Sequence, residues 1–166
     1  LSIAAVNAPN LLVFSGETDF IEQLKKELDS DGKKSVLLHT SHAFHSAMML
    51  PIVTEFTKEL KRVKFKTPQI AYISNVTGDW IKEDEVQNPQ YWINHLLGTV
   101  RFMAGLQRLS KDKNRFYIEI GPGNTLTTFA RQCLNDEVVV SSLRHPNQSV
   151  NDFEHILNSL GTLWSN

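Results

Sequence analysis

Hydrophobic and polar positions along this chain change rhythm near residue 45. Leu1–Asn7 and Leu11–Gly16 are short apolar runs separated by Ala8-Pro9-Asn10, a turn-forming break, and together they predict an antiparallel hairpin. Phe20, Ile21, Leu24 and Leu28 then recur at helical spacing, with Asp19 expected as the cap, Glu22 three residues on, and Asp31-Gly32 as the stop. A strand is expected over Ser35–His39. Strand, strand, helix, strand is most of a small α+β subdomain, assigned to residues 1–40.

Beyond that point Ile52, Val53, Phe56, Leu60 and Val63 mark one face of a helix expected over Ala47–Val63, with Lys58, Glu59, Lys61 and Arg62 facing out. A strand is expected over Ile70–Val76, helices over Asn88–Leu97 and Val100–Leu109, and a strand over Arg115–Gly121. A helix over Asn124–Leu134, a strand over Glu137–Leu143 and a final helix over Asp152–Trp164 complete the series. Strands alternating with helices predict a parallel α/β sheet across residues 41–166.

Composition narrows the function classes. With 17 basic and 18 acidic side chains among 166 residues, and no block of either sign, the chain carries no electrostatic footprint for nucleic acid or an anionic membrane surface. Cys133 is the single cysteine, which excludes an internal disulfide or thiolate cluster and favours a cytoplasmic compartment. No apolar run reaches the length of a membrane span, and the N-terminus lacks a signal-peptide pattern. The start at Leu1, directly on a strand-like run, suggests a piece of a larger protein. Asn75-Val76-Thr77 and Asn147-Gln148-Ser149 match a glycosylation tripeptide that recurs by chance.

Three segments carry candidate chemistry. His39, His42 and His45 stand three apart, a spacing compatible with a metal site on a helix, yet no carboxylate or thiolate ligand lies nearby. Loop histidines satisfied by backbone groups are the simpler explanation for an arbitrary sequence. Glu119-Ile120-Gly121-Pro122-Gly123-Asn124 takes a strand into a helix, where a sheet edge places sites and a helix N-terminus attracts anions, although a tight turn needs glycine on steric grounds alone. Tyr91, Trp92 and His95 precede Val100-Arg101-Phe102; the aromatics fit a helix core, and Arg101 suits either an acidic ligand or solvent.

Taken in order, AAVNAPNLLVFSG, SHAFHSAMM, ISNVTG, YWINHL with VRF, IEIGPGNTLT and LGTLW resemble the acyltransferase domain of modular polyketide synthases, related to malonyl-CoA:acyl carrier protein transacylases. The resemblance covers essentially the whole chain. It implies an α/β fold: part of a ferredoxin-like small subdomain over 1–40 and the C-terminal part of a hydrolase-like large subdomain over 41–166. It also implies that His45 activates a serine and returns the proton to the leaving thiol, a role suited to imidazole. His42 and Phe44 match positions associated with malonyl rather than methylmalonyl units. The carbonyl that orients the catalytic histidine is carried over to Arg101, although Thr99-Val100 stands where the family often has Pro-Val. Asn75, Gly121, Pro122 and Gly123 match supports of the site floor, and Asn7 a position near the acyl pocket.

The family's Gly-His-Ser-X-Gly elbow has no counterpart here, since no Gly-X-Ser-X-Gly occurs in the sequence. The malonyl-binding arginine and the glutamine segment of the oxyanion hole are likewise expected upstream of Leu1. The resemblance therefore implies malonyl transfer from coenzyme A to carrier-protein phosphopantetheine, with no bound cofactor or metal, beside a neighbouring ketosynthase. By itself the chain is expected to be inactive. A non-catalytic carrier-protein docking module is the alternative, and a metal hydrolase a distant third.

Overall fold

A computed structural model describes residues 1–112 and 114–166. The chain divides into two compact units, Leu1–Phe102 and Met103–Asn166. Within the first, the strand Ser2–Ala8 is bonded to the segment around Val100.

The first unit opens on β1 (Ser2–Ala8) and β2 (Leu11–Ser15), the expected antiparallel hairpin, with register shifts between Ile3 and Ala5 and between Val6 and Ala8. Helix α1 (Thr18–Ser30) begins one residue before its expected cap: Glu17 occupies the N-cap, and Asp19 lies in the first turn. Gly32, at φ +69°, ends it as the Asp31-Gly32 pair suggests.

Two expected strands do not form. Residues 33–40 have no regular structure, and Val36 and Leu38 are 73% and 62% exposed. A strand needs a neighbour to take its backbone groups, and the local apolar run alone does not supply one. The segment Ile70–Val76 keeps only one antiparallel bridge, Ile73 to Trp80, around a turn closed by Gly78 N donating to Ser74 O at 2.8 Å.

The helix expected over Ala47–Val63 is split into a 3-10 helix (Ala47–Ile52) and α2 (Val53–Leu60). Pro51 lies inside the first piece and has no N–H for an α-helical bond to Ala47. Helix α3 (Glu83–Gln87) is too short to leave an apolar period in the sequence. Helix α4 (Pro89–Leu97) starts with Asn88 Oδ1 accepting from Gln90 N and Pro89 in the first turn. It packs against the 3-10 helix, α2 and α3, and buries Tyr91 and Ile93 beside a core that includes Met49, Leu60 and Val86.

Helix α5 (Phe102–Leu109) leads into the second unit, where β3 (Phe116–Glu119), α6 (Thr125–Cys133) and β4 (Val138–Ser141) form a parallel β-α-β crossover. Phe116 pairs with Val138 and Glu119 with Ser141. Helix α6 packs on both strands and α7 (Asp152–Ser165) packs on β4, around Ala130, Leu134, Val139 and Val140. This is the parallel α/β arrangement that the alternating pattern predicts. No helix of the described residues is long and apolar enough to cross a membrane.

Candidate active site

The site in the first unit grows from the end of α4. Gly98 leaves the helix with an extended backbone, φ −91° and ψ 163°, and its N–H still bonds to Asn94 O at 2.8 Å. The final carbonyls of a helix lack intrahelical donors and must find partners elsewhere. Two of them find His45: its Nδ1 lies 3.0 Å from His95 O and 3.1 Å from Gly98 O. Both oxygens can only accept, so Nδ1 carries the proton in the neutral ring and Nε2 keeps its lone pair.

The segment that supplies these carbonyls is pinned on several sides. Thr99 Oγ1 donates to Ile3 O at 2.6 Å, Val100 N to Ala4 O at 2.8 Å, and Val6 N to Val100 O at 2.9 Å. Arg101 N donates to Asn75 O at 2.9 Å. Asn75 thus meets this strap through its backbone carbonyl, and Asn7 follows Val6 at a register shift of the hairpin. The carbonyl expected from Arg101 is instead supplied by His95 and Gly98. The reason is positional: the free acceptors lie at the helix terminus, and Arg101 comes three residues after it.

His45 itself has φ +57°, a left-handed conformation that is costly for a residue with a Cβ. On its C-terminal side Ser46, 3% exposed, donates to Ala43 O at 2.6 Å and accepts from Met48 N at 3.2 Å, capping the 3-10 helix. A tight turn on one side and a helix start on the other hold the histidine backbone in place. Ser41 Oγ lies 3.0 Å from His42 Nδ1. The hydroxyls beside His45 in sequence are therefore engaged with groups other than its imidazole.

The other histidines named by their spacing separate from it. His42 and Phe44 form a tilted ring pair with centroids 5.9 Å apart, and Phe44 is 44% exposed. His39 lies in the irregular segment, so the three-residue spacing defines no helix face. Among the described residues no three His, Cys, Asp or Glu side chains gather as a metal site would require. His95, which the sequence pattern places in a helix core with no role of its own, stands beside His45 with ring centroids 5.9 Å apart in an edge-on arrangement. Burial, and secondarily the charge of His45, push its pKa below the usual histidine value. An open depression of about 400 Å³ lined by Val76, Asn94, Leu97, Gly98, Thr99 and Arg101 adjoins the strap.

In the second unit the Gly121-Pro122-Gly123 turn has φ +143° and +89° at its glycines, which accounts for that residue choice. Gly121 N donates to Ser142 Oγ and Gly123 N to Arg144 O, both at 3.2 Å. The helix N-terminus that the sequence offers to an anion already holds one. Glu119 accepts from Leu126 N at 3.1 Å and Thr127 N at 2.7 Å, so its carboxylate caps α6.

The sequence matches the acyl transferase domain family over residues 1–165. The chain belongs to that family. Among curated relatives, a phenolphthiocerol synthesis polyketide synthase type I of Mycobacterium marinum is 34% identical, with 99% of this chain and 8% of that protein aligned. Polyketide synthase GfsB of Streptomyces halstedii is 34% identical over 83% of this chain and 2% of its own length. Among solved structures, the acyl transferase domain of SpnD, in complex with 2-(pent-4-yn-1-yl)malonyl, superposes with a TM-score of 0.93 at 36% identity, covering 99% of this chain and 41% of that one. A malonyl CoA-acyl carrier protein transacylase from Clostridium perfringens shares the fold, with a TM-score of 0.82 at 24% identity and coverage of 99% and 49%. The fold is thus the α/β acyltransferase fold, and the chain spans less than half of each of these acyltransferases and a small fraction of the synthases.

Proposed function

We propose that this chain is the histidine-bearing part of a polyketide synthase acyltransferase that moves a malonyl group from coenzyme A to the phosphopantetheine thiol of an acyl carrier protein. The observation that carries this reading is the pair of carbonyls on His45 Nδ1, which fixes Nε2 as the basic nitrogen. Nε2 takes the proton of a serine hydroxyl as its oxygen attacks the thioester carbonyl, and returns that proton to the departing coenzyme A sulfur. In the second half-reaction it takes the carrier thiol's proton as the sulfur attacks the ester, then returns it to the serine oxygen. Each half-reaction leaves His45 neutral, as a ping-pong route requires.

The serine is assigned to polypeptide outside these residues. No Gly-X-Ser-X-Gly elbow occurs in the sequence, and the hydroxyls of Ser41 and Ser46 are engaged away from His45. The chain alone is accordingly expected to be inactive. His42 and Phe44 are assigned to extender choice, Phe44 by filling the space of an α-methyl, a discrimination worth about 1–3 kcal/mol. Asn75, whose carbonyl accepts from Arg101 N, is assigned to support of the site floor, and Asn7 to a position near the acyl pocket. A cytoplasmic setting beside a ketosynthase belongs to the same reading, and the coenzyme A thioester and the carrier's phosphopantetheine enter as substrates. A test is transfer by the full-length acyltransferase from malonyl-CoA to a phosphopantetheinylated carrier protein, read by the carrier's mass. Malonylated carrier supports the reading; an unmodified carrier in the presence of an intact serine elbow favours a docking module.

A further inference from the structure

His95 offers His45 two different things. Its backbone carbonyl accepts from Nδ1, a service any residue at 95 supplies, and its imidazole stands edge-on to the His45 ring, a service that depends on the side chain. The ring of His95 is in turn held from behind. Tyr91, one turn earlier on α4, lies parallel to it with centroids 6.4 Å apart and planes 1° from parallel. Tyr91 is itself anchored, because its hydroxyl is 2.9 Å from Ser74 Oγ, and Ser74 is completely buried and also receives Val76 N at 3.1 Å. A second edge-on contact, from Trp92 with centroids 5.2 Å away, fixes the tyrosine ring laterally.

We infer that the imidazole of His95 is a positioning residue for His45, the last member of a packed series Ser74–Tyr91–His95 that sets the rotation of the catalytic ring. The carbonyls choose which nitrogen is protonated only while the ring stays in the plane that presents Nδ1 to them. The turn and the Ser46 cap hold the His45 backbone but not the rotation of its ring, so that plane needs support from a neighbouring side chain. A neutral aromatic edge provides it without placing a second charge beside the imidazolium formed during proton transfer. Burial of His95 favours that neutral form.

The decisive variant is His95→Ala, which keeps the carbonyl and removes the ring. His95→Phe restores a flat ring of similar outline that cannot titrate. In the unsubstituted protein, nuclear Overhauser contacts between the two imidazoles and nitrogen shifts of a single Nδ1–H tautomer at His45 are expected; their absence overturns the inference outright. In H95A the second tautomer of His45 is expected to appear, and in the full-length acyltransferase kcat falls about tenfold while KM stays constant, as for a misplaced catalytic group. H95F is expected to regain the tautomer and most of the lost turnover.

An H95A protein with the original tautomer and turnover overturns the inference, because the carbonyl alone then suffices. If H95A does not fold, a folded H95F with a mixed tautomer overturns it equally, and one with the single tautomer supports it. The kinetic arm rests on the proposed malonyl transfer. No turnover in the unsubstituted full-length enzyme counts against that reaction, whereas the spectroscopic arm judges His95 independently.

Discussion

Gly98 holds its carbonyl 3.1 Å from His45 Nδ1, and a Cβ added at Gly98 would sit 2.7 Å from Asn94 O. The glycine is thus required by close approach to the preceding turn rather than by a left-handed torsion, since its φ is −91°. Any larger residue must displace the α4 terminus whose carbonyls meet His45 Nδ1.

Gly98→Ala is expected to leave the fold intact and to lower acylation of the full-length enzyme by about 10- to 100-fold, the cost of moving a catalytic group by a fraction of an ångström to an ångström. Single-turnover acylation with malonyl-CoA measures this. Retention of the original rate would mean that His95 O alone orients the ring.

The left-handed backbone of His45 costs about 1–2 kcal/mol for a residue with a Cβ, a strain that the two contacts to Nδ1 offset. Asparagine tolerates this conformation better than most residues. His45→Asn is therefore expected to keep the thermal midpoint close to the original while transfer falls by about 10²- to 10⁴-fold, the usual contribution of a general acid–base group. Calorimetry paired with the transfer assay separates the two effects.

His95 gives stability a defined pH dependence. Its folded-state pKa is depressed by burial and by the charge of His45, so below the unfolded-state value near 6.5 the unfolded chain binds more protons at this site. The stability is fully present above that pH and is lost as pH falls from it through the folded value. Thermal midpoints measured from pH 7.5 to 5 are expected to decline more steeply for the original chain than for His95→Phe. Parallel declines would show that other groups dominate this window.

Glu119 is predicted to stabilise the second unit through α6. Its carboxylate accepts two backbone N–H groups at the helix start, at 2.7 and 3.1 Å. Glu119→Ala is expected to cost about 1–3 kcal/mol, and Glu119→Gln less, because the two N–H groups bond to different carboxylate oxygens and the amide keeps one of these bonds while losing the other and the charge toward the helix dipole. Denaturant titration measures both, and a loss for Glu119→Gln as large as for Glu119→Ala would remove the retained hydrogen bond, not the charge, from the explanation.

The elements most legible in the sequence are those whose pattern reports a local interaction. The β1–β2 hairpin shows in Ala8-Pro9-Asn10, α4 in Asn88-Pro89, and the crossover β3–α6–β4 in alternating apolar runs. Ser35–His39 and Ile70–Val76 have the composition of strands, yet pairing is decided by neighbours distant in sequence, which a local run does not encode. His45, the residue proposed as the acid–base group, is recoverable from SHAFHS by resemblance. Its carbonyl partners are not, because they depend on where α4 stops and on the path of Gly98 beyond that stop. His95 is visible as a helix residue at i+4 from Tyr91, but its contact with His45 spans fifty positions. Glu119 is hidden for a similar reason: a glutamate ending a strand gives no sign that it will cap the next helix.

The most direct test of the account is intact mass spectrometry of the full-length acyltransferase after brief exposure to equimolar malonyl-CoA and methylmalonyl-CoA, with His45→Ala alongside. A malonyl adduct is expected to form rapidly on the original enzyme and slowly on the variant. Absence of any adduct, or equal rates in the two proteins, would contradict the role assigned to His45, while a dominant methylmalonyl adduct would contradict that of Phe44.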